Sequence, residues 1–328
     1  MNTAIRLPIV CESVAPTRPI ASLSDDVSNG LLRAPRSLPP KYFYDEHGSA
    51  LFDQICNVPE YYPTRTEGAL LAASAAAVIA SAQPQCIIEF GSGMSRKTRH
   101  LLDACEAQSC YASYVPFDVC DEVLLASGAA LTNDYPWLDV QPLRGDYTAG
   151  LGNLPRRAAR NLMTFLGGTI GNFSAAESRD FLAELRAIMH DGDYLLLGAD
   201  RIKRPDVLHA AYNDFAGVTA AFNRNMLRVL NRELGADFNP EAFAHYACFN
   251  PGASRIEMHL IAMAAQTVRI AHLDAVLEFG EGDGILTEIS RKFTRAELEA
   301  MLRDAGFAIE RHFESRSPKF SLVLARPV

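Results

Sequence analysis

The run Cys86-Ile87-Ile88-Glu89-Phe90 leads straight into Gly91-Ser92-Gly93, a strand followed by a turn whose two glycines let the backbone approach a ligand closely. Lys97, Arg99, Leu101 and Leu102 mark a helix behind it. A dinucleotide fingerprint would place a third Gly at position 96, where this chain has Arg96, so the turn argues against a nicotinamide cofactor. An acidic residue before the G-x-G suits a ligand that carries positive charge and no phosphate. S-adenosylmethionine, with its ammonium and sulfonium, is such a ligand. Asp118 ends a second apolar run, where a carboxylate can accept from both hydroxyls of a ribose, and Asp146-Tyr147 ends a third. Acidic groups at the carboxyl ends of neighbouring strands stand where open α/β sheets bind their ligands.

After a fourth run comes Leu166-Gly167-Gly168-Thr169-Ile170-Gly171-Asn172-Phe173, a glycine-dense loop with one side-chain amide. It reads either as a tight connection or as a loop that sets the Asn172 carbonyl oxygen beside an amine nucleophile. Glu288 and Ser290 stand two apart on a strand and project from one face, with Thr287, Ile289 and Arg291 on the other. A carboxylate beside a hydroxyl matches the two nitrogens of an imidazole, one donating and one accepting. Taken alone, the pair fits a solvent-facing polar strand better.

The elements that must hold these groups follow from periodicity. Five short apolar runs, 86–90, 114–119, 138–143, 161–166 and 194–198, alternate with helical patterns, as expected of βαβ units and a parallel sheet. Capping boxes predict helix starts at Thr64/Glu67, Ser174/Glu177 and Thr294/Glu297. The last helix stops at Gly306, and 307–313 with 320–325 read as a closing hairpin. Between 202 and 292 the pattern changes to α+β, with helices near 205–215 and 218–234 and strands near 256–264, 267–273 and 286–292. The expected organisation is a flexible arm, 1–20, a cofactor-binding domain, 66–201 with 293–328, and a substrate-recognition domain, 21–65 with 202–292.

A chain of 328 residues with 48% hydrophobic and 21% charged residues is folded and large enough for two domains, at ~100–200 residues each. With 31 Lys+Arg against 39 Asp+Glu, net charge −8 and no dense basic run, a nucleic-acid partner is not expected. The longest nearly apolar stretch, 70–82, falls short of the ~20 residues that cross a bilayer, so no membrane partner is expected either. Seven scattered cysteines without C-x-x-C or clustered His predict reduced thiols, no metal site and a cytoplasmic protein without an export signal.

Long strings then carry a resemblance over residues 23–325. They are Ser37-Leu38-Pro39-Pro40-Lys41-Tyr42-Phe43-Tyr44-Asp45, Leu51-Phe52-Asp53-Gln54-Ile55, Pro59-Glu60-Tyr61-Tyr62-Pro63-Thr64-Arg65-Thr66-Glu67, Pro116-Phe117-Asp118-Val119, Gly217-Val218-Thr219-Ala220-Ala221-Phe222-Asn223-Arg224-Asn225 and Arg255-Ile256-Glu257-Met258. The chain resembles the histidine Nα-methyltransferases that form hercynine in ergothioneine biosynthesis. The resemblance implies an α/β fold, a class I methyltransferase Rossmann-like sheet with a second α+β substrate-binding domain. It implies that Tyr44, Gly91, Lys97, Asp118, Asp146 and Tyr147 surround S-adenosylmethionine. For L-histidine it implies that Tyr61 and Tyr212 hold the carboxylate, Asn172 the α-amine, and Glu288 with Ser290 the imidazole beside Met258. Phe52, Gly167, Thr169 and Thr219 are its implied wall residues. Gly168, Tyr42 and Tyr147 depart from the family's usual Ser, Trp and Phe, and the closing segment 314–319 also differs.

The implied activity is three methyl transfers to one nitrogen, through mono- and dimethyl intermediates, in a monomer. Asn172 is the expected orienting group and Tyr44 a candidate proton relay. A lid built from 37–65 is expected to exclude water and thereby lower the amine pKa. The same-family rival acts on another amino acid such as tryptophan. An NAD-dependent oxidoreductase and a non-catalytic binding module are the rivals from other classes.

Overall fold

Cys86–Phe90, buried at all five positions, is the central strand of an eight-stranded sheet. In this computed structural model, residues 9–155, 160–315, 317 and 319–328 are described. The sheet order is Glu12–Ser13, Leu143–Arg144, Ser113–Asp118, Cys86–Phe90, Asn161–Phe165, Tyr194–Asp200, Phe320–Pro327 and Phe307–Glu314. The first six strands pair in parallel, and the closing hairpin adds the last two antiparallel. Parallel strands with both faces covered read as continuous apolar runs, which is why Cys86–Phe90, Ser113–Asp118, Asn161–Phe165 and Tyr194–Asp200 were visible in the sequence. This is the expected Rossmann-like sheet, and its strand order reverses between Ser113–Asp118 and Asn161–Phe165, on either side of Cys86–Phe90.

A second sheet of four strands, ordered Arg36–Ser37, Gly284–Arg291, Arg255–Ala262 and Phe243–Asn250, packs on the helix Val218–Leu234. One hydrophobic cluster joins that helix to Val27, Leu31, Phe43, Leu51 and Tyr62 at one end of the chain and to Met258, Leu260 and Ile285 at the other. Two further clusters cover the faces of the eight-stranded sheet. The helix Tyr62–Ala82 runs from the first cluster, at Tyr62, into the third, at Leu71, Ala75 and Val78.

Three expectations are corrected. The capping box at Thr64/Glu67 does not exist, because the helix begins at Tyr62 with Pro63 in its first turn, a position that suits the fixed φ of proline. Thr64 lies inside the helix and its hydroxyl faces Cys56 Sγ at 3.3 Å, while Glu67 is fully buried and serves the site described below. The boxes at Ser174/Glu177 and Thr294/Glu297 are present. The run 138–143 contributes only its last residue, Leu143, to the strand Leu143–Arg144. Pro142 has no N–H to donate, and upstream of it the pairing shrinks to a bridge between Tyr114 and Val140. The arm 1–20 is docked rather than loose where it is described. Glu12–Ser13 extends the sheet, and Arg18 donates to the Thr148 carbonyl at 2.7 Å; residues 1–8 lie outside the described residues. Phe243–Asn250 and Ala275–Phe279 are strands that periodicity did not reveal.

Candidate active site

A cavity of about 70 Å³ opens where the Gly167–Asn172 loop of the large sheet meets the four-stranded sheet. A space of this size holds a few waters or a small polar molecule, not a peptide chain. Glu288, Ser290 and Met258 line one side of it, Gly167, Thr169 and Asn172 another. Tyr44, Phe52, Tyr61, Tyr212 and Thr219 complete the wall, so every residue matched to histidine recognition is brought together. Ile55, Gly168 and Phe222 also line it and had been given no role in the site.

Each wall has a local cause. Gly167 and Gly168 take φ of +80° and +69°, conformations that cost glycine nothing, and the turn Thr169–Asn172 follows. Tyr44 succeeds the turn Pro40–Phe43 and stands edge-on to both Phe52 and Phe222, each 5.7 Å away between ring centroids. Asp45 caps the helix Glu46–Ile55 through Gly48 N–H at 2.8 Å and takes bonds from Asn225 at 2.7 Å and Arg232 at 2.9 Å. The Tyr44 segment is thereby clamped to the helix Val218–Leu234. Tyr61 meets Tyr212 edge-on at 6.1 Å.

The electrostatics are those of a half-dry pocket. Burial pushes the Glu288 carboxyl up to about 7, against the opposing pull of the Lys292 charge. Among the described residues none donates a hydrogen bond to Glu288 or to the Asn172 amide, which leaves both free to meet a ligand. Burial and the neighbouring Glu288 charge raise the Tyr44 phenol well above its usual pKa. The residue is 36% exposed, which weakens the burial contribution and leaves the direction, a neutral phenol.

Behind Tyr212 and Ser290 lies a buried network that the sequence did not disclose. Lys292 Nζ stands 2.9 Å from Tyr212 Oη, 2.8 Å from Ser290 Oγ and 3.0 Å from Asp200 Oδ2. Asp200 also accepts from Tyr62 and Lys203. Burial alone would raise the Asp200 pKa, but Lys292 and Lys203 outweigh it and hold the carboxyl low. Lys203 is drawn down to about 8 by burial against the pull of Asp200. Lysines that follow a strand carry no periodic signal, so only the fold could bring these together.

The other edge of the Gly167 loop faces the G-x-G turn. Gly91 has φ +68°, and a Cβ there would lie 3.4 Å from the Tyr147 ring. Asp118 accepts from Gly93 N–H at 2.9 Å and Val119 N–H at 2.8 Å, which fixes its carboxylate at the strand end with lone pairs to spare. Asp146 Oδ1 takes Thr148 N–H at 2.7 Å. Ser92 Oγ, in the same turn, is buried with no hydrogen-bond partner among the described residues. Lys97 pairs with Glu67, whose other oxygen accepts Gly167 N–H at 2.7 Å, so one buried carboxylate joins the turn to the cavity loop. These residues fit a nucleoside with a cationic tail. Glu89 is the exception: it is buried and bonded by Thr98 and Tyr114, and burial lifts it to about 7, so it supports the turn instead of facing a ligand.

No metal site was expected. Cys248, Glu257 and His259 do place ligand atoms within 4.8 Å of one another, on the face of their strands away from Met258, but Arg255 already pairs with Glu257 at 2.7 Å. Among the described residues no helix is long and apolar enough to cross a membrane.

Residues 23–327 match the family described as histidine-specific methyltransferases, SAM-dependent. The chain is 47% identical to the histidine N-alpha-methyltransferase of Mycolicibacterium smegmatis and 44% identical to that of Mycobacterium tuberculosis, in each case over 93% of this chain and 94% of the relative. It is 26% identical to the 4-dimethylallyltryptophan N-methyltransferase easF of Claviceps fusiformis, over 87% of this chain and 86% of that protein.

Proposed function

Because this chain belongs to the histidine-specific, S-adenosylmethionine-dependent methyltransferase family, we propose that the cavity holds L-histidine with its ring on Glu288 and Ser290 and its α-amine at Asn172. The enzyme is an N-methyltransferase that converts the α-amine of histidine to the trimethylated product, hercynine, on the way to ergothioneine. The observation that carries the substrate reading is the Glu288–Ser290 pair, an acceptor with no hydrogen-bond donor among the described residues beside a hydroxyl, opening into a small aromatic cavity. We take 66–201 with 293–328 as the cofactor domain and 21–65 with 202–292 as the substrate domain.

S-adenosylmethionine, when bound, supplies an electrophilic methyl group. Gly91, Asp118, Asp146, Lys97, Tyr147 and Tyr44 are the residues that would hold it, the two carboxylates as acceptors for its hydroxyl and amino groups. Each turnover would exchange one sulfur–carbon bond for one nitrogen–carbon bond, and the ammonium form of the amine must first release one proton to expose the lone pair. The Asn172 carbonyl oxygen accepts an amine N–H and so aims the nitrogen lone pair; alignment of this kind supplies on the order of 7–11 kcal/mol in well-oriented reactions. Tyr44, a neutral phenol at the cavity mouth, relays the departing proton to solvent instead of acting as a base. Tyr61 holds the carboxylate with the Tyr212 ring beside it, and Phe52, Gly167, Thr169, Thr219 and Met258 exclude water from the reacting atoms. Grip through the ring and carboxylate retains the mono- and dimethyl intermediates while the amine changes. We place the enzyme in the cytoplasm as a monomer.

Tryptophan fits less well. An indole has one N–H and no ring acceptor, so it leaves the Ser290 hydroxyl unanswered, and its second ring needs the space that Met258 fills. Calorimetric titration separates the readings: S-adenosylmethionine and histidine should bind and NAD should not. Binding of NAD, or indifference to histidine, would overturn the assignment.

A further inference from the structure

Lys292 is wholly buried behind the cavity wall, 2% exposed, and does not line the cavity. An ammonium has three N–H donors and no acceptor. Its three neighbours at bonding distance are Asp200, Tyr212 and Ser290, so each donor is spent. Tyr212 Oη and Ser290 Oγ lie 2.9 Å apart, close enough for one proton to bridge them. A phenol is the better donor of the two and the poorer double acceptor, so the bridging proton is that of Tyr212. Ser290 Oγ then accepts from both Lys292 and Tyr212 and has filled its two lone pairs. Its own proton has one direction left, into the cavity.

Resting on the histidine reading above, we propose that Lys292 is a positioning residue that makes Ser290 an obligate donor, so that the pocket selects a neutral imidazole in a single tautomer. Glu288 takes the ring N–H and Ser290 gives its proton to the other nitrogen. A serine without Lys292 accepts as readily as it donates, and an imidazolium would satisfy it equally. The same proton count divides the tyrosine pair. Tyr212 spends its proton on Ser290, and the Tyr61 hydroxyl remains the donor for the substrate carboxylate.

Lys292 acts on Glu288 as well, through its charge. Tyr44, Tyr61 and Tyr212 face Glu288 from other elements, but burial raises the pKa of each and leaves them neutral. Lys292 is thus the charged group that opposes burial at Glu288. Asp200 and Tyr212 hold Lys292 itself protonated against the opposite effect of burial.

The test measures histidine affinity against pH, in the presence of S-adenosylhomocysteine, for the full-length enzyme and its Lys292→Met variant. Removing the charge should weaken binding roughly tenfold or more at neutral pH, as expected for hydrogen bonds made with an ionised group. It should also move the acid-side loss of affinity upward by ~1 pH unit, since ionised Glu288 loses its support. The ring of free histidine titrates near ~6.5 in both experiments and cancels. A uniform, pH-independent loss would mean that Lys292 is only structural and would overturn the assignment. Should Lys292→Met fail to fold, ¹⁵N spectra of ring-labelled histidine bound to the wild-type enzyme decide the matter. One protonated and one unprotonated ring nitrogen at neutral pH supports obligate donation by Ser290, and two protonated nitrogens refute it. If the wild-type enzyme binds histidine and only these signatures fail, the Lys292 proposal falls alone; if it does not bind histidine, the proposed function falls with it.

Discussion

Met258 stands directly across from Glu288 in the antiparallel pairing of Arg255–Ala262 with Gly284–Arg291, and both side chains reach the cavity. The charge and bulk we propose decide which ring enters are therefore neighbours on one sheet face, separated by a strand spacing.

Substrate choice should follow that pair. Glu288→Ala should raise the histidine KM about tenfold or more, because it leaves a ring N–H buried without an acceptor at ~1–3 kcal/mol. Combined with Met258→Val it should relax discrimination against tryptophan, since an unpaired polar group and a steric barrier are removed together. Competition assays with both amino acids read this directly. Unchanged preference for histidine would remove Glu288 from the ring site.

Stability should respond to Glu288 with a defined sign. Its folded-state pKa of about 7 lies above the ordinary 4.5, so its contribution is fully present below pH 4.5 and is lost as pH rises through 7. Glu288→Gln should thus match the wild type near pH 4 and be more stable at pH 8, by at most about 3 kcal/mol. Denaturant melts of the ligand-free enzyme at the two pH values check it; the reverse order would contradict the burial of this carboxyl.

Much of this was legible beforehand, and what was not has physical causes. Cys86–Phe90 and Tyr194–Asp200 announce themselves because both faces are covered, whereas Phe243–Asn250 mixes His, Tyr and Asn into a half-exposed strand. Glu288 and Ser290 were visible as a pair two apart on one face. Lys292, two residues farther along, was not distinguishable from any strand-terminal lysine until the fold set Asp200 beneath it. Glu67 was misread from a local motif because its partners, Lys97 and Gly167, are 30 and 100 residues away.

At the cofactor edge, Asp118→Ala should weaken S-adenosylmethionine binding by ~1–3 kcal/mol, the scale of hydrogen bonds to an ionised group. Because Asp118 also anchors Gly93 N–H, a thermal melt of the free protein should accompany the titration. Unaltered affinity would take Asp118 out of the ribose site.

Asn172 should matter unequally across the three transfers. The nitrogen gives up N–H groups as it gains methyls, so Asn172→Ala should slow the first transfer about tenfold or more and the last one less. Rates measured separately from histidine and from its dimethyl derivative test this; equal slowing would assign Asn172 to general packing.

We propose that the amine, not the ring, faces the methyl donor while Glu288 and Ser290 hold the imidazole. Incubation with L-histidine and excess S-adenosylmethionine, followed by NMR of the product, tests it most directly. Three methyl groups on the α-nitrogen and an unmodified imidazole are expected. A methyl group on either ring nitrogen would contradict it.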